Sequence, residues 1–121
     1  MFQILIVEDN HFYRQALRDS LKTRFPSVTI DEAVNGKEAM EKAHSFYPDL
    51  VFMDIRLPDE SGLELTKKIR AMSPDISIII LTSYDIPEYE EAATRYGANR
   101  FVAKNSTTEE ELFTLVKSYL A

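Results

Sequence analysis

The sequence predicts an α/β fold of three layers, a parallel five-stranded sheet with helices on both faces. Three observations carry this. Five short apolar runs alternate with amphipathic helical patterns along the chain, and such alternation requires crossover connections and parallel strands. The runs Leu50-Val51-Phe52-Met53 and Ile76-Ser77-Ile78-Ile79-Ile80-Leu81 are apolar almost throughout, as strands covered on both faces are. The length of 121 residues, with 45% hydrophobic and 28% charged residues, suits a single globular domain over residues 1–121.

Ile4-Leu5-Ile6-Val7 is the first strand. In the helix that follows, Phe12, Ala16 and Ser20 form one row and Tyr13, Leu17 and Leu21 another. Phe25-Pro26-Ser27 ends it. Val28 to Val34 is more polar and alternating, as an edge strand tends to be. Asn35-Gly36 turns the chain into a helix that carries Ala39, Met40 and Ala43 inward, and Pro48-Asp49 leads into the third strand. The third helix runs from about Leu63 to Met72 with Leu65, Ile69 and Met72 on one side, and Ser73-Pro74-Asp75 breaks it. The β-branched run ending at Leu81 is a central strand. A helix from about Glu88 to Tyr96 stops at Gly97. Phe101-Val102-Ala103 is the fifth strand. Two overlapping capping boxes, Thr107 with Glu110 and Thr108 with Glu111, open the last helix, which buries Leu112, Leu115, Val116 and Tyr119 or Leu120.

Composition narrows the function. There is no cysteine, so a disulfide framework and a thiolate metal site are excluded. The net charge of −6, with 14 scattered basic residues, argues against this domain gripping nucleic acid. No apolar run approaches the roughly 18 residues that span a membrane. No basic segment precedes Ile4, and Glu8-Asp9 end the first run, so the start is not read as a signal peptide; the expected location is the cytoplasm.

The residues that end the strands are polar: Glu8 and Asp9 after the first, Asp54 after the third, Thr82 after the fourth and Lys104 after the fifth. In a parallel sheet these ends share one edge, the edge that lines the ligand crevice. Three carboxylates there repel; at ~4 Å and an effective dielectric near 20, each pair costs on the order of 4 kcal/mol. The site needs a cation or a proton. Lys104 supplies one charge, and oxygen donors without nearby His or Cys favour Mg²⁺ or Mn²⁺. A carboxylate nucleophile with a divalent ion, a lysine and a hydroxyl is suited to phosphoryl transfer. His11 and His44 are read as helix-surface residues. Tyr13, Tyr47 and Tyr119 are read as packing or surface residues, and Ile86, Pro87 and Tyr89 as packing or a partner surface.

Four motifs, Ile6-Val7-Glu8-Asp9-Asn10, Met53-Asp54-Ile55-Arg56-Leu57-Pro58 with Gly62, Leu81-Thr82-Ser83 and Phe101-Val102-Ala103-Lys104, occur in this order. With them the chain resembles, end to end, the receiver domain of two-component response regulators. Leu81-Thr82-Ser83-Tyr84-Asp85 and Lys104-Asn105-Ser106 resemble receivers of LuxR/NarL-type transcriptional regulators. The resemblance implies a flavodoxin-like (βα)5 sandwich with strand order 2-1-3-4-5. It implies that Asp54 accepts a phosphoryl group from a sensor histidine kinase or phosphotransfer protein. Mg²⁺ would be held by Asp9, Asp54 and the Arg56 backbone carbonyl, with Glu8 acting through water. Lys104 would pair with Asp54 and then with the phosphoryl group. Thr82 would turn inward, and Phe101 would swing from exposed to buried. The domain would be a phosphoacceptor switch rather than an enzyme. Its output surface would be the last two helices, controlling transcription through a DNA-binding domain outside this chain and allowing a homodimer on phosphorylation.

Departures from the family pattern set further expectations. Glu8 stands where Asp is commoner. Asn105 replaces the usual proline, so the Lys104–Asn105 peptide is expected to be trans. Phe101 replaces a common Tyr and, with no hydroxyl to anchor it outside, should favour burial. Bulky Arg56 and Tyr84, two residues past Asp54 and Thr82, flank the water path in the family and should slow self-dephosphorylation. Three rival readings are weaker. An aspartyl phosphatase wants an acid where Arg56 stands. A flavin mononucleotide site wants a polar phosphate loop where Glu8-Asp9 would repel one. A decayed receiver kept only for dimer contacts would not retain every site residue.

Overall fold

The computed structural model describes residues 1–120. Strands and helices alternate throughout: β1 (Gln3–Val7), α1 (His11–Arg24), β2 (Thr29–Ala33), α2 (Gly36–Ser45), β3 (Leu50–Met53), α3 (Gly62–Met72), β4 (Ser77–Thr82), α4 (Pro87–Arg95), β5 (Arg100–Ala103) and α5 (Glu109–Leu120). All neighbouring strands are parallel, in the order β2-β1-β3-β4-β5. The expected architecture and order are therefore observed, and this is the flavodoxin-like arrangement.

Side-chain alternation divides the core in two. Leu5, Val7, Val51, Met53, Ile78 and Ile80 pack against Ala39, Ala43, Leu65, Ile69 and Ala93 of α2, α3 and α4. Their sequence neighbours Ile4, Ile6, Leu50, Phe52, Ile79 and Leu81 pack against Leu17, Leu21, Leu112, Phe113 and Val116 of α1 and α5. Successive side chains of a strand point to opposite faces, so the apolar runs serve two layers at once.

Several local expectations shift. In α1 only the Tyr13-Leu17-Leu21 row turns inward, while Phe12 of the other row is 84% exposed. β2 starts at Thr29 and ends at Ala33, leaving Val28 and Val34 outside the ladder. Of the two capping boxes, the Thr108 one forms: the Glu111 amide donates to Thr108 Oγ1 at 3.1 Å and the Thr108 amide donates to Glu111 Oε1 at 2.9 Å. α5 buries Phe113 beside Leu112 and Val116, and Leu115 only partly. Gly97 ends α4 at φ +103°, a conformation that side chains with a Cβ rarely adopt.

Candidate functional site at the carboxyl edge of the sheet

The strand ladders run one residue past the strands and fix the site. The Glu8 amide donates to the Ala33 carbonyl (3.0 Å), the Asp54 amide to the Val7 carbonyl (3.0 Å) and the Lys104 amide to the Thr82 carbonyl (2.8 Å). Each polar residue that follows an apolar run is thus tied to a neighbouring strand. α1 begins at once after the acids: Asn10 caps it by accepting the Tyr13 amide at 2.9 Å, and Arg14 reaches back to donate to the Glu8 carbonyl at 2.8 Å. Arg14 and Arg18 both grip Glu32 on the edge strand, at 2.8 and 2.7 Å.

Carboxylate oxygens of Glu8, Asp9 and Asp54 lie within 4.8 Å of one another. Glu8 and Asp54 are buried and Asp9 is exposed, so the cluster opens to solvent on one side. Lys104 Nζ is 2.5 Å from Glu8 Oε1 and 3.4 Å from Asp54 Oδ2. The expected Lys104–Asp54 pair is therefore present, and Glu8, not foreseen as a partner, is the nearer of the two. Glutamate has one methylene more than aspartate, and Asp54 Oδ1 is engaged by the Ile55 amide at 2.8 Å. Burial pushes the Glu8 carboxyl up to about 7 against the opposing pull of the Lys104 ammonium and the Asn10 amide; the Asp54 charge adds to the rise. Burial first, and then the charges of Glu8 and Asp54, push the Tyr13 phenol up to about 12.

The donor set fits a hard divalent cation. It is all oxygen and bears three carboxylates, as Mg²⁺ and Mn²⁺ prefer. His11 is exposed and its Nδ1 lies 3.2 Å from Arg14, away from ligand duty.

The loop after Asp54 is folded tightly onto it. The Gly62 amide donates to the Ile55 carbonyl at 2.7 Å, and Arg56 and Ser61 form an antiparallel bridge. A Cβ at position 62 would sit 1.9 Å from the Asp54 carbonyl oxygen, so only glycine fits. Asp59 crosses to α2 and accepts the amides of Gly36 (2.8 Å) and Lys37 (3.1 Å). Those bonds, the Gly36 one foremost, hold its carboxyl below its ordinary value.

Of the other expected residues, Thr82 is fully buried and its Oγ1 accepts the Tyr84 amide at 3.1 Å. Phe101 is half-buried against the α2–α4 side of the core. The Arg56 guanidinium lies 4.0 Å from the centre of the Tyr84 ring, so the two bulky residues stack on each other. The Lys104–Asn105 peptide is trans, as expected. His44 and Tyr47 are exposed and Tyr119 packs on α5's side of the core. Tyr13, read as a packing or surface residue, does pack on the α1 and α5 side of the core and also places its ring 4.0 Å from Lys104 Nζ. Its position four residues past Asp9, in the first turn of a helix starting beside the acids, is the signal that could have found it.

Comparison with known proteins agrees with this geometry. A family model described as the response regulator receiver domain matches residues 4–117. The chain is 38% identical over 102 residues to the chemotaxis protein CheY of Halobacterium salinarum, covering 84% of this chain and 83% of that protein. It is 35% identical over 108 residues to the uncharacterized transcriptional regulatory protein YhcZ of Bacillus subtilis, covering 89% of this chain and 50% of the relative; the chain spans about half the length of the transcriptional regulators it matches. Among solved structures, response regulator protein TrrA from Thermotoga maritima, in complex with Mg²⁺-BeF, superposes with a TM-score of 0.87 at 37% identity over 98% of this chain and 99% of that one. By its fold, its matched family and these relatives, the chain belongs to the response regulator receiver domains of two-component signal transduction.

Proposed function

We propose that residues 1–121 form one receiver domain in which Asp54 is the phosphoacceptor. The observation that carries this reading is the convergence of three carboxylates within 4.8 Å beside the Lys104 ammonium, with Asp54 at the end of the central strand β3. An Asp54 carboxylate oxygen attacks the phosphorus of a phosphohistidine on a sensor kinase or phosphotransfer protein. The P–N bond breaks and the departing imidazole takes up a proton, leaving an acyl phosphate. Asp9, Asp54 and the Arg56 carbonyl would hold Mg²⁺, or Mn²⁺ in its place, with Glu8 acting through water. Bound there, the ion supplies charge neutralisation for the phosphoryl oxygens.

Lys104 has a short way to move from Glu8 to a phosphoryl oxygen. Thr82 turns its hydroxyl from the Tyr84 amide to another. The new group brings roughly −2 charge and three strong acceptors, which bias the ends of β4 and β5 between two arrangements. Phe101 completes its burial as Thr82 vacates space, and the surface of α4 and α5 changes. Arg56 and Tyr84, stacked on each other, hinder the water that would hydrolyse the acyl phosphate, so self-dephosphorylation is slow. The readout is transcription, through a DNA-binding domain outside this chain and in the cytoplasm, with a homodimer forming on phosphorylation.

Incubation with Mg²⁺ and acetyl phosphate tests this. Intact mass should show one added phosphoryl group on the wild type and none on Asp54→Asn, and amide resonances of α4, β5 and α5 should shift only in the wild type. Equal phosphorylation of Asp54→Asn would overturn the assignment.

A further inference from the structure

The Lys104 ammonium touches an aromatic ring as well as two acids. It lies 2.5 Å from Glu8, 3.4 Å from Asp54 and 4.0 Å from the centre of the Tyr13 ring. The Lys104 side chain is 12% exposed, so the ring contact is largely shielded from water, where a cation over an aromatic face gains most. Tyr13 does not owe its position to Lys104. Its amide is held by the Asn10 cap, and the next residue, Arg14, is locked to the Glu8 carbonyl and to Glu32. The Tyr13 backbone is thus anchored independently of the ammonium beside its ring.

The acids have a second claimant. A divalent ion at Glu8, Asp9 and Asp54 draws on the same Glu8 charge that Lys104 uses in this structure. Two cations that share one carboxylate oppose each other, and a contact made to only one of them works against the other. We propose that Tyr13 is a positioning residue whose ring seats the Lys104 ammonium against Glu8 and so weakens divalent-cation binding at the acid cluster in the unphosphorylated protein. This rests on the reading of the cluster as the metal site. Metal entry then loosens the lysine that the incoming phosphoryl group needs, so the ring couples the two steps.

Calorimetric Mg²⁺ titration of the full chain tests this with Tyr13→Leu, Tyr13→Phe, Lys104→Met and the Tyr13→Leu/Lys104→Met pair. Losing a cation–ring contact changes an equilibrium constant roughly 2–30-fold, the upper end belonging to shielded contacts. Tyr13→Leu should bind Mg²⁺ tighter by that factor. Tyr13→Phe, which keeps a ring, should stay closer to the wild type than to Tyr13→Leu. In the Lys104→Met background, Tyr13→Leu should have no further effect. Unchanged or weaker binding by Tyr13→Leu, which a mere packing role would give, overturns the proposal, as does tightening that persists without Lys104. If the wild type binds no Mg²⁺ sensitive to Asp9→Asn, the metal reading falls and takes the proposal with it; if it binds but Tyr13→Leu does not tighten it, the proposal alone falls.

Discussion

Replacing Gly62 by alanine sets a methyl carbon 1.9 Å from the Asp54 carbonyl oxygen, 2.8 Å from its carbonyl carbon and 3.1 Å from the Ile55 Cα. All three are backbone atoms, so no rotamer change relieves the clash. The contact must open from 1.9 Å to at least 3.0 Å, and the chain between Asp54 and Gly62 has to take up the movement. Overpacking of this kind costs about 1–3 kcal/mol. Loss of the 2.7 Å Gly62–Ile55 hydrogen bond adds about 1 kcal/mol. The helix preference of alanine at the start of α3 returns up to about 1 kcal/mol. The net is a loss of about 1–3 kcal/mol, roughly 4–12 °C in thermal midpoint for a domain of this size. Because the displaced carbonyl belongs to Asp54 itself, phosphorylation by acetyl phosphate should slow on the order of 100-fold. Urea unfolding and an initial-rate phosphorylation assay read the two effects. Stability within about 0.5 kcal/mol of the wild type, with an unchanged rate, would refute the claim that position 62 has no room for a side chain.

Other substitutions probe separate parts of the site. The Glu8 carboxyl is raised to about 7 in the folded chain, so without metal it contributes stability that is fully present below its ordinary value of 4.5 and is lost as pH rises through about 7; Glu8→Gln should flatten that part of the pH–stability curve in urea titrations. For the same reason Mg²⁺ affinity should fall as pH drops below about 7, a trend that calorimetry at several pH values would show and that Glu8→Gln should weaken. Asp59→Ala removes the acceptor for the Gly36 and Lys37 amides and should lower the thermal midpoint, with Asp59→Asn recovering part of the loss; an unchanged midpoint would mean that the loop is held without this clamp. Arg56→Ala and Tyr84→Ala should each shorten the acyl-phosphate lifetime. Because the two side chains stack, the double variant should fall short of the product of the single effects by roughly 2–5-fold, measured by loss of the phosphoryl group after donor removal.

Much of the fold is legible in the residues because the apolar runs are short, unbroken and bounded by turn residues. Leu50-Val51-Phe52-Met53 is β3 as expected, and its abrupt end on Asp54 marks the site. The convergence of Glu8, Asp9, Asp54, Thr82 and Lys104 on one edge follows from parallel strands, since topology alone puts all carboxyl ends together. The distances between side chains are not legible in that way. That Lys104 prefers Glu8 to Asp54 depends on one methylene and on the Ile55 amide. Asp59 capping α2 joins residues far apart in sequence, with no local signature. In α1 the helical period yields two adjacent rows, and only the sheet decides that Leu17 and Leu21 go in while Phe12 stays out.

The most direct test chemically locates the phosphoryl group. After Mg²⁺-dependent reaction with acetyl phosphate, borohydride reduction converts an aspartyl phosphate to homoserine, and peptide mass spectrometry reads its position. Homoserine at residue 54, dependent on Mg²⁺ and abolished by Asp9→Asn, is the expected result. Homoserine at another aspartate, or none while the intact protein carries phosphate, would contradict the assignment of Asp54 as the acceptor.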